Sequence, residues 1–133
     1  MPTTNPTSRP TRVMVIGASA DRTKYGNKAV RAFLRAGNEV LPVNPRAAAA
    51  NQTIEGLRVY PDIASVPGPI DKATIYVHPD QGFEVLDAIA ARTDIAEVWL
   101  NPGAESPELL AHAHSLGLDP IQACSVIAIG ERP

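Results

Sequence analysis

A glycine, a serine and a lysine within eight residues raise the first chemical question in this sequence. They lie in VMVIGASADRTKYGNKAV, where an apolar run from Val13 to Ile16 leads into Gly17-Ala18-Ser19 and then Lys24. Gly17 permits a tight turn where a Cβ would clash. Such a turn leaves the N–H groups of Ala18, Ser19 and the following helix open to an anion, aided by the helix's positive end. Ser19 adds a hydroxyl donor. Gly26, nine residues beyond Gly17, stands just before the helix, where a small residue would admit a ligand closely. Asp21, Arg22 and Lys24 lie between the two glycines.

Better-known phosphate loops do not fit. Arg22 occupies the position of the second glycine in G-x-x-x-x-G-K-[ST], and Ser19 and Arg22 break G-x-G-x-x-G. A phospho-acceptor domain needs a carboxylate ending an early strand, and glycine stands there. In NAD enzymes an acid ending the second strand takes the ribose 2′-hydroxyl. Here the second strand ends Val43-Asn44-Pro45-Arg46, with no carboxylate. A phosphorylated ribose is better matched, with Arg46, Lys24 or Arg22 as cations and Pro45 as an apolar edge for a purine. Solvated loop cations are the plain alternative for each.

Elements of the right kind surround these residues. RVMVIG, EVLPVNP, KATIYVHP and EVWLNPG read as strands, and DPIQACSVIAIG holds a last one. NKAVRAFLRAG, stopped by Gly37, DQGFEVLDAIAAR and SPELLAHAHSLG read as helices, the last with Ser106 as N-cap and Pro107 at its first position. GLRVYP is a brief extended piece, and RAAAANQTIEG reads as a loose segment. Strands alternating with helices predict a doubly wound, mostly parallel five-stranded sheet in a Rossmann-like three-layer α/β sandwich. Ligands then bind outside the carboxyl ends of the strands, which draws attention to the loops after Ile16, Val43, Val77 and Leu100.

The bulk properties agree. At 133 residues, one domain over 12–133 is expected, with residues 1–11 a polar, proline-rich disordered arm rather than a secretory signal. The hydrophobic share is 44%, and the net charge of −2 comes without a long basic run, which argues against nucleic acid. No apolar stretch approaches a membrane span. One cysteine, Cys124, excludes an internal disulfide, and three histidines add no zinc spacing. A reducing cytoplasm is the simplest home.

The combination V-I-G-A-S, a loop lysine, L-P-V-N-P, Y-P, W-L-N-P-G and A-C-S resembles the small CoA-binding proteins, from Arg12 to about Gly130. These are stand-alone relatives of the CoA-binding domain of succinyl-CoA synthetase and of ADP-forming acyl-CoA synthetases. The resemblance implies coenzyme A or an acyl-CoA as ligand. Gly17, Ala18 and Ser19 would then contact the pyrophosphate, with Lys24 and Tyr25 beside a phosphate. Val43, Asn44, Pro45 and Arg46 would border the adenosine. Val77, His78 and Pro79 would flank the adenine or the pantetheine arm, and Asn101 would border the pantetheine channel. The phosphohistidine of succinyl-CoA synthetase lies in a second domain outside these residues, so binding without the ligase reaction is expected. A carrier, sensor or partner module follows.

Two alternatives stand beside it: an NADP-dependent reductase-like domain with Arg46 on the 2′-phosphate, and an interaction module with a vestigial nucleotide site. The residues show no nucleophile–base pair and no paired carboxylates, so catalysis has no support. His78 ends a strand on the ligand-facing edge, where acid–base work is conceivable, yet a histidine before proline is more often a polar surface residue. His112 and His114 are two apart on a helix and face different directions. Cys124 reads as a small core residue, with a mixed disulfide to the CoA thiol as the functional alternative. Trp99 reads as core.

Overall fold

A computed structural model describes residues 9–133, so most of the arm expected over 1–11 lies outside the described residues. The central sheet contains β1 (Arg12–Ile16), β2 (Glu39–Val43), β5 (Ile70–Ile75), β6 (Ile95–Leu100) and β7 (Ile121–Gln122). Its order is β2-β1-β5-β6-β7, and every pairing is parallel. The expected five-stranded α/β fold is present. A two-stranded antiparallel hairpin, β3 (Thr53–Ile54) and β4 (Leu57–Arg58), lies outside it.

Alternation along β1 makes the two sides of the sandwich. Met14 and Ile16 face one core with Leu41, Ile75 and Leu86, while Val13 and Val15 face the other with Val30 and Phe33. Both faces are buried, as a parallel sheet between helices requires. The second face is covered by α1 (Tyr25–Arg35), whose Ala29, Val30, Ala32 and Phe33 are buried. Phe33 is fully buried and so contributes about 2 kcal/mol of hydrophobic stabilisation. The first face is covered by α3 (Pro79–Ala90) through Leu86 and Ile89, and by α4 (Pro107–Ser115), capped by Ser106 through Leu109 N–H. Gly82 lies against Leu109 where these two helices meet, too close for a Cβ.

Two sequence expectations change. RAAAANQTIEG is not loose: Pro45–Ala49 forms α2 and Thr53–Ile54 enters the hairpin. Asn44 caps α2, Pro45 pre-sets its first turn, and alanines carry it. The last segment is a strand for only two residues, after which Ser125–Ala128 turns as α5. Among the described residues no helix is long and apolar enough to cross a membrane.

Candidate functional site

β2 lies on one side of β1 and β5 on the other, so the chain reverses direction across the sheet at the carboxyl end of β1. A cleft of about 900 Å³ opens there. Gly17 forms its floor at φ +87°, in the left-handed region that favours glycine, and donates its N–H to the Val43 carbonyl at 3.2 Å. A Cβ on Gly17 would stand 2.9 Å from the main chain of Tyr76. Gly26 has a related task, because its Cβ would overlap the Gly17 carbonyl oxygen. Its absent side chain lets α1 start against β1, which is helix–strand packing rather than the ligand approach the sequence suggested.

The first loop is held from beneath. Ser19 Oγ accepts from Asp21 N–H at 3.0 Å, and Asp21 Oδ1 accepts from the Thr23 N–H and hydroxyl. Those Thr23 bonds hold the Asp21 carboxyl below its usual range. Fully buried Asn27 donates Nδ2 to the Ser19 carbonyl at 2.9 Å and to Glu55 Oε2 at 3.1 Å. With the loop so fixed, the N–H groups of Ala18, Ser19, Tyr25 and Gly26 have no hydrogen-bond partner among the described residues. Ser19 keeps its hydroxyl proton to donate. Lys24, the N-cap of α1, makes no side-chain cap, so the helix presents bare donors toward the cleft.

The second loop is joined to the first through Asn44. Its Nδ2 donates to the Ala18 carbonyl at 2.8 Å while its Oδ1 caps α2. Pro45 and Arg46 follow along the rim. The remaining wall is apolar with a polar edge: Ile63, Val77, Val85 and Ala88 inside, Gln81 and Glu84 outside. Tyr76 closes the third side. Its hydroxyl lies 3.2 Å from Ser125 Oγ, and burial pushes the phenol up, so it stays neutral.

The cations divide sharply. Arg9, Arg12, Arg22, Arg35 and Arg92 pair with carboxylates, and Arg31 is hydrogen-bonded to Asn27 and the Arg22 carbonyl. Lys28, Arg58 and Lys72 lie over aromatic rings. Among the described residues only Lys24, Arg46 and Arg132 have none of these partners, and the first two line the cleft. Two free cations beside bare N–H groups are the chemistry that an anion requires.

Of the residues singled out from sequence, Gly17, Ala18, Ser19, Lys24, Tyr25, Val43, Asn44, Pro45, Arg46, Val77 and His78 all line this cleft. Pro79 and Asn101 do not. Pro79 starts α3, capped by His78, whose Nδ1 accepts from Asp80 N–H at 3.2 Å. Asn101 is buried and its amide is spent internally: Nδ2 on Thr74 Oγ1 and the Ile75 carbonyl, Oδ1 on the Ser125 N–H and hydroxyl. It fastens the start of α5 to the sheet. Sequence reasoning missed Pro61, Asp62 and Ile63, Tyr76, and the α3 face made by Gln81, Glu84, Val85 and Ala88. The α3 face was legible in principle as a second stripe at i, i+3, i+4 and i+7. The Pro61–Ile63 loop was not, because Arg92 holds it from a distant helix end, donating Nη1 to the Ile63 and Val66 carbonyls at 2.7 Å.

Comparison with known proteins gives the same direction. The sequence matches the CoA binding domain family over residues 11–130. A conserved hypothetical protein from Pyrococcus furiosus is similar in structure at TM-score 0.77 and 30% identity, over 90% of this chain and 99% of that one. A dinucleotide-forming acetyl-coenzyme A synthetase from Ca. Korarchaeum cryptofilum, in complex with phosphate and ADP, is similar at TM-score 0.70 and 30% identity. That likeness covers 86% of this chain and 26% of the synthetase chain. A protein from Thermus thermophilus shares the fold at TM-score 0.77 and 24% identity, over 89% of this chain and 87% of that one. The family match supports binding of coenzyme A, and the match spans both cleft loops and all five strands of the sheet. The chain belongs to the CoA binding domain family.

Proposed function

We propose that the cleft binds coenzyme A or an acyl-CoA with the diphosphate on the Ala18 and Ser19 N–H groups and the first turn of α1. Lys24 and Arg46 meet the phosphates, and the adenosine rests against Pro45 and the apolar wall of Ile63 and Val77. The observation that carries this reading is the pair of unpartnered cations beside unpartnered main-chain donors in one cleft, where most other cations of the described residues are already engaged. Coenzyme A matches that set: three phosphates, no need for an acid after β2, and a long semi-apolar arm. The likeness to an acetyl-coenzyme A synthetase supports a CoA thioester as one form of the ligand. The chain acts as a carrier, sensor or partner module in a reducing cytoplasm, with no chemistry of its own.

Thermal unfolding against coenzyme A, acetyl-CoA, dephospho-CoA, NAD and NADP tests this. A ligand at 100 times its dissociation constant stabilises by about 2.7 kcal/mol, a melting shift of several degrees. Coenzyme A should shift it most and dephospho-CoA less. NADP as the strongest stabiliser would instead mark a reductase-like site, and no response to any would mark a vestigial one.

A further inference from the structure

Positive charge also gathers on the outer face of α1, away from the cleft. Lys28, Arg31 and Arg35 follow at i, i+3 and i+7, a spacing that places them on one side of the helix, and α1 contains no carboxylate. Arg132 joins them from the C-terminal segment, and the four cations with Pro133 line a hollow of about 100 Å³. In a chain of net charge −2, this puts four of twelve Lys and Arg residues around one small space. Like charges so placed repel one another unless something offsets them.

The offset within the protein is partial. Arg35 donates Nε to Glu131 Oε1 at 2.9 Å and Nη2 to the Arg132 carbonyl at 3.3 Å. Arg31 is turned toward Asn27 Oδ1 and the Arg22 carbonyl, and Lys28 Nζ lies 4.9 Å over the Tyr25 ring. Among the described residues the Arg132 guanidinium has no ion pair or side-chain hydrogen bond. Arginines lining a space of phosphate size favour a tetrahedral oxyanion, which guanidinium groups bind through parallel N–H donors.

We propose that this hollow is a second anion site, taking one phosphate-monoester-sized dianion. Two of its cations also touch the machinery of the cleft. Arg31 donates to the Arg22 carbonyl and to Asn27, which holds the Ser19 carbonyl, and Lys28 packs on Tyr25 at the cleft mouth. An anion that draws on Arg31 and Lys28 therefore changes affinity in the cleft, and a cleft ligand changes affinity in the hollow by the same factor.

The test is a titration of the full chain with inorganic phosphate at constant ionic strength, followed by NMR of main-chain amides and arginine Nε–H groups. Saturable shifts are expected at residues 28–35 and at Arg132, weakened at least tenfold in Arg132→Ala while shifts at Ala18 and Ser19 persist. Shifts at the hollow that grow linearly without saturating, or that Arg132→Ala leaves unchanged, overturn the proposal. Repeating the titration with coenzyme A already bound tests the coupling between the two sites. A changed phosphate affinity in the hollow is expected; an unchanged one overturns the coupling. The phosphate titration needs no coenzyme, so its failure is distinct from failure of the coenzyme A reading.

Discussion

Asn44 donates its side-chain amide to the Ala18 carbonyl across 2.8 Å, while its Oδ1 accepts from the N–H groups of Arg46 and Ala47. One side chain thus fixes the turn after β1 against the turn after β2. The carbonyl of fully buried Ala18 is held on the protein side of the turn, away from where an anion would sit.

Replacing Asn44 separates its two tasks. Asn44→Asp keeps an acceptor for the α2 cap but loses the donor to Ala18, whereas Asn44→Ala loses both. A lost cap costs about 1 kcal/mol, and a buried carbonyl left without a partner costs about 1–3 kcal/mol. Asn44→Ala is therefore expected to lower the melting temperature more than Asn44→Asp. Both should weaken coenzyme A binding by tenfold or more in calorimetric titration, because both release the Ala18 carbonyl.

Lys24 and Arg46 behave in the opposite way. Neither has an ion pair among the described residues, so Lys24→Ala and Arg46→Ala should leave the melting temperature of the free protein within about 1 °C of wild type. A hydrogen bond to a charged group contributes about 1.5–3 kcal/mol. Each variant should accordingly raise the Kd for coenzyme A by roughly 10- to 100-fold. The preference for coenzyme A over dephospho-CoA should shrink in whichever variant removes the partner of the 3′-phosphate.

Asn101 is expected to act on stability and not on binding. Asn101→Ala strips partners from the Ser125 N–H and the Ile75 carbonyl, both inside the fold. Two unsatisfied groups cost about 2–6 kcal/mol together, measured by chemical denaturation. The Kd for coenzyme A, measured below the melting transition, should change less than threefold.

Acid should loosen the amino-terminal edge of the sheet. Asp71 accepts from the Arg9 guanidinium and from Arg12 N–H, and these bonds hold its carboxyl below the usual range. Its pKa is lower folded than unfolded, so its contribution is present above about pH 4 and disappears as pH falls through the folded value. The melting difference between wild type and Asp71→Asn should be constant from pH 7 to 5 and vanish toward pH 2. A difference that grows on acidification would contradict the assignment.

Much of this was legible in the sequence because it follows from local pattern. The β-branched run at Val13–Ile16 ending in Gly17, and the Ser106-Pro107 cap, specify elements with near neighbours only. Both cleft loops were legible because they sit directly after apolar strands. What escaped depends on distant partners. Asn101 follows a strand as Asn44 does, yet its amide is consumed by Thr74 and Ser125 from two other elements. Ile63 enters the cleft wall because Arg92, far along the chain, grips its carbonyl. The segment after Arg46 looked loose because alanines carry no periodicity, although Asn44 and Pro45 had already started a helix there.

The most direct measurement of the central claim is an amide-resolved NMR titration of the chain with coenzyme A. The N–H resonances of Ala18, Ser19, Tyr25 and Gly26 should move furthest, saturating together with a single Kd, and should move with ADP but not with pantetheine. Saturable coenzyme A binding that leaves those four amides in place, while shifts cluster elsewhere, would contradict the account.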